Sequence, residues 1–111
     1  MTTIVISKNN SGTYERFTCM GHAGYARFPK QKDIVCAAIS VLVINTVNSL
    51  EELTDEEIEL QTNEETGFID CGFQKEISEQ GRLLMDSMVL GLKGIEQQYG
   101  KKYFELKFEE V

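Results

Sequence analysis

The sequence contains no internal repeat, no low-complexity run and no interdomain linker, and Pro29 is its only proline. Its 111 residues are therefore expected to form one domain spanning 1–111. Basic residues are also scarce. Eleven Lys and Arg against eighteen Asp and Glu leave a net charge of −7, with no clustered basic face of the kind nucleic acid requires. No basic segment followed by an apolar one opens the chain, so no signal peptide is expected. Long apolar runs are missing as well: residues 34–47 are broken by Ser40, Asn45 and Thr46, which argues against a membrane span. Three cysteines, Cys19, Cys36 and Cys71, cannot all pair within one chain. They read as reduced thiols of a cytoplasmic protein, each a core filler, a ligand or a nucleophile.

What is present fits a soluble globular chain. A hydrophobic share of 41% is enough for one core without metal or disulfide staples. Eight acids fall between residues 51 and 65, either a solvated face or a dock for a basic peptide. Residues 2–7 are β-branched, 9–12 form a turn cluster, and 13–20 read as the hairpin partner. Asp33 is a candidate N-cap for a helix running to about Leu53, roughly 30 Å long and apolar on nearly every side of its first three turns. Residues 58–61 and 67–75 alternate as strands around a turn near 63–66. Leu84, Met88, Leu92, Ile95 and Tyr99 mark a second amphipathic helix over 78–99, ended by Gly100, and 103–108 close the series as a strand. The predicted order is ββαββαβ, an α+β class with an antiparallel or mixed sheet packed against two helices. Gly91 and Gly94 each cost that second helix about 1 kcal/mol against alanine, a cost that close approach to the first helix or to another subunit would offset.

The candidate chemistry lies in GHAGYARFPKQKDIVCAAIS. His22 sits between Gly21 and Gly24 in a loop of about twelve residues, the length at which loops tend to carry function. Cys36 falls three residues after the predicted cap, where free N–H groups and the helix dipole stabilise a thiolate and lower a pKa from about 8.5. A histidine brought alongside completes the usual cysteine nucleophile. The same first-turn amides, that of Cys36 included, are placed to receive an oxyanion. Ser40, at i+4, shares a face with Cys36. Each residue also has a plainer role: Cys36 as buried filler, His22 as a loop residue, Asp33 as a cap alone and Ser40 as a hydroxyl bonding its own helix. Cys19, His22 and Cys36 in the spacing C-x2-H-x13-C match no closed metal site, so no metal is expected. Cys71, alternating with Phe68, Ile69 and Phe73, reads as structural.

At GHAGYA and DIVCAAIS the chain resembles the Prp family of cysteine proteases, over nearly its whole length and element order. The resemblance implies a catalytic dyad of His22 and Cys36, with Asp33 and Ser40 in support and no cofactor. It further implies removal of a short N-terminal extension from a large-subunit ribosomal protein, by a homodimer with a flexible loop between the dyad residues. Here that loop departs from the family pattern. It reads ARFPKQKD, with Pro29, no glycine before Asp33 and two more residues, and Tyr25, Arg27, Phe28 and Pro29 are the candidate substrate-loop residues. The rival expectation is a non-catalytic binding protein of ribosome assembly with the same fold.

Overall fold

The structure, a computed structural model, describes residues 2–21 and 30–111, with the backbone alone for 30–33. The predicted substrate loop and His22 lie outside the described residues. Strands β1 (Thr2–Lys8) and β2 (Tyr14–Met20) form the first hairpin. Asn9 makes its turn, the side-chain oxygen accepting from the N–H of Ser11 (2.9 Å) and of Thr13 (3.1 Å). Alternation along each strand puts Ile4, Ile6, Phe17 and Cys19 on the buried face. The register pairs Ile6 with Phe17 and Ile4 with Cys19.

Helix α1 spans Lys30–Leu53. It begins three residues before the predicted cap, so Asp33 is the fourth residue of the helix and not its N-cap. Lys30, Gln31 and Lys32 all have good helix propensity, and here propensity outweighs the capping signal. The helix also continues past Val47, so Ile34–Leu53, with a mean hydropathy of 1.7, is long and apolar enough to cross a membrane by length and composition. Length and composition therefore do not exclude a membrane span. In this fold Val35, Ile39, Val43, Val47 and Leu50 are buried in the core, as expected of the central helix of a two-layer domain.

Strands β3 (Ile58–Asn63) and β4 (Phe68–Phe73) form the second hairpin, followed by α2 (Glu79–Tyr99) and β5 (Phe104–Glu110). The predicted order ββαββαβ holds. Ser78 caps α2 by accepting from the Gly81 N–H at 3.1 Å, and the Ser78 N–H donates to Glu56 Oε1 at 2.6 Å. Glu57 pairs with Lys75 at 3.1 Å. Glu56 and Glu57, both in the 51–65 stretch, therefore have structural partners. Gly91 lets α1 come close: a Cβ there would meet Leu42 Cδ1 at 2.9 Å. Gly94 has open space around it, so the α1 contact offsets the cost of the first glycine only.

The sheet order is β3-β4-β2-β1-β5. Four strands pair antiparallel, and β5 joins β1 in parallel, from Thr2 against Phe104 to Lys8 against Glu110. The sheet is mixed, and the two helices cover one face of it. On the opposite face Arg16 lies over Gly72 and bonds Asp70 at 2.5 Å. Tyr14 reaches from β2 to α2 and donates to Asp86 at 2.5 Å, tying that end of the sheet to its helix.

Candidate active site

A cavity of about 300 Å³ opens between the N-terminal half of α1 and the adjacent ends of the sheet strands. Cys36 and Ser40 line it from successive turns of α1. This is the shared face that their i, i+4 spacing predicted. Cys36 is partly buried, as a thiol must be that is both held by packing and open to a ligand. Gly21 lines the opposite rim. Its φ of 87° is a left-handed value that favours glycine, and there the chain leaves β2 one residue before His22. The Thr2 hydroxyl donates to the Gly21 carbonyl at 3.4 Å, anchoring that exit to β1. The placement of His22 itself, and of the Asp33 side chain, lies outside the described residues.

The first-turn oxyanion expectation does not survive the helix boundary. Only the first four N–H groups of an α-helix lack an internal partner, and in α1 these precede residue 34. Cys36, seventh in α1, is past the first turn, where the dipole effect is concentrated. Polar residues that line the cavity include Ser40 and Asn63.

Sequence reasoning missed the remaining walls. The β3–β4 turn forms one of them, with Asn63 and Phe68 facing the cavity. Asn63 shapes that turn, its side-chain oxygen accepting from the N–H of Glu65 (3.0 Å) and Thr66 (3.3 Å), and Gly67 completes it at a φ of 66°. Turn chemistry was visible in the sequence, but its position beside Cys36 depends on β4 pairing with β2, a long-range fact.

Cys19 is the other thiol lining the cavity. Burial, with a smaller push from Cys36, raises it to about 11. Cys71 is fully buried, and desolvation first, then the charge of Asp70, raises it to about 12. Both remain neutral at pH 7, so only Cys36 is expected to react readily with a small thiol probe. Time-resolved alkylation with peptide mapping checks this. Cys36 should label first, by at least tenfold, and equal rates at the three sites would count against a distinct Cys36.

A partly open thiol beside a hydroxyl, in a cleft between a helix and a sheet, defines a candidate thiol hydrolase. Residues 1–104 match the family described as Cysteine protease Prp, and the chain belongs to that family. It is 26% identical over 101 residues to the ribosomal processing cysteine protease Prp of Staphylococcus aureus, covering 91% of this chain and 93% of that protein. Against the protein of the same name from Bacillus subtilis it is 30% identical over 87 residues, covering 75% and 76%. The fold matches a crystal structure of the S. aureus protease Prp in complex with a covalently linked product peptide. The TM-score is 0.87 at 25% identity, over 98% of this chain and all of that one.

Proposed function

We propose that this chain is a cytoplasmic cysteine endopeptidase that removes the N-terminal extension of a large-subunit ribosomal protein, with Cys36 as nucleophile and His22 as general base. The observation that carries this reading is the position of Cys36, a partly open thiol in a cavity whose lining also includes Gly21, the residue before His22 in sequence. The Prp of S. aureus, similar in fold, was captured with a covalently linked product peptide. That supports attack by a protein side chain.

In this mechanism His22 takes the Cys36 proton as Sγ attacks the scissile carbonyl. The departing amine takes that proton from the imidazolium. Water, activated by His22, then hydrolyses the thioester and frees the thiol. Asp33 is the positioning residue for His22. Ser40, which lines the cavity one turn from Cys36, is proposed to hydrogen-bond the reacting group. Tyr25, Arg27, Phe28 and Pro29 contact the peptide. No cofactor, nucleic acid or membrane takes part. Incubation with the extended ribosomal protein from the same genome, read by mass spectrometry of the new N-terminus, tests the assignment. A substrate left intact while its folded state is verified would refute it.

The homodimer belongs to the same proposal. Ile34 and Val41 are 52% and 67% exposed on α1, an apolar pair that a second copy would cover, next to Ile44 at the edge of the cavity. Val41→Asp is expected to convert a dimer to a monomer in light scattering. An unchanged mass would move the interface elsewhere.

A further inference from the structure

The proteolytic cycle leaves Cys19 without a task, although it shares the cavity with the nucleophile. Cys19 projects from β2 on the buried face, two residues from Phe17. Cys36 approaches from α1, on the turn that carries Ile39 and Ser40 into the same cavity. The third thiol, Cys71, is fully enclosed on β4 beside Phe17. Two cysteines from different layers thus line one small space, and one of them, Cys36, is the proposed nucleophile.

We propose that Cys19 is a resolving thiol for Cys36, so that the active site closes into a Cys19–Cys36 disulfide when it meets a peroxide. The inference rests on Cys36 being the nucleophile. In the first step the Cys36 sulfur attacks one peroxide oxygen. The O–O bond breaks, sulfur is oxidised to sulfenic acid, and water leaves. In the second step the Cys19 sulfur attacks the sulfenic sulfur, an S–S bond forms, the S–O bond breaks, and the Cys19 proton departs with hydroxide as a second water. Two electrons pass from the two thiols to one hydrogen peroxide. The disulfide blocks proteolysis while sparing Cys36 from sulfinic acid, which ordinary thiols do not reverse. Burial keeps Cys19 protonated at neutral pH, so closure should accelerate as pH rises.

Hydrogen peroxide treatment of the whole protein, followed by alkylation of free thiols and tryptic mapping, tests the pairing without an activity assay. Cleavage after lysine and arginine places Cys19 in peptide 17–27 and Cys36 in peptide 33–75. The expected result is a cross-linked 17–27/33–75 species, abolished by dithiothreitol, with Cys71 still alkylated after denaturation. In Cys19→Ser, Cys36 should proceed to the sulfinic state and no longer be restored by dithiothreitol. Wild-type protein that accumulates sulfinic Cys36 while Cys19 stays alkylatable would overturn the pairing and leave the nucleophile in place. A Cys36 that resists peroxide entirely, in wild type and variant alike, would overturn the nucleophile assignment and the pairing with it. Should Cys19→Ser fold poorly, the wild-type map decides alone.

Discussion

Replacing Cys36 with alanine should abolish cleavage of the extended ribosomal protein while leaving the fold intact. The substitution removes one sulfur from a residue that already borders a cavity, so its cost in stability is small, about 1 kcal/mol or less. Its chemical cost is total, because the other two thiols, Cys19 and Cys71, are buried, and burial raises both. Cys36→Ser should retain little activity, a hydroxyl being far harder to ionise than a thiol. His22→Ala should lose about 10²–10⁴-fold in kcat, the usual share of a general base. Steady-state cleavage beside circular dichroism separates the two effects. Activity in Cys36→Ala above a mock preparation would end the cysteine-protease mechanism, and a loss below about tenfold in His22→Ala would demote the histidine to a loop residue.

The largest expected stability effect lies elsewhere, at Phe17. Its ring is fully buried on β2, flanked by Ile6 on one strand and Cys71 on the other, beneath the helices. Phe17→Ala removes that contact area and leaves a void the sheet cannot close, at a cost of about 3–5 kcal/mol. Small domains have only about 5–15 kcal/mol to lose, so the variant should unfold at much lower urea than wild type. Phe108→Ala is the natural comparison. That ring is 48% exposed near the end of β5, and its loss should cost about 1 kcal/mol or less. Equal urea midpoints for the two variants would mean that the core is not where the buried surface places it.

Local order was legible in the sequence wherever the controlling forces were local. Alternation in 2–7 and 13–20, the Asn9 turn, Ser78 at the head of α2 and Gly100 at its end all follow from neighbours a few residues apart. The start of α1 was misplaced because two local signals competed, the capping carboxylate of Asp33 and the helix propensity of the three residues before it. The site was half visible. Cys36 and Ser40 announce a shared face through helical spacing, whereas Asn63 and Phe68 reach the cavity only because β4 lies beside β2. No periodicity encodes that neighbour relation. The same holds for the choice of α1 as the partner of Gly91, which composition left open between a helix and a second subunit.

The parallel pairing of β1 with β5 sets an order of events during synthesis. β1 is made first among the elements, yet one of its edges stays bare until β5, the last of them, has emerged. Thr2, at the head of β1, donates its N–H to the Tyr103 carbonyl and also lines the cavity beside Gly21. Thr2's end of the cleft wall therefore lacks this backbone partner until Tyr103 has emerged. Contacts so far apart in sequence slow folding, because the loop between them must be closed before they contribute.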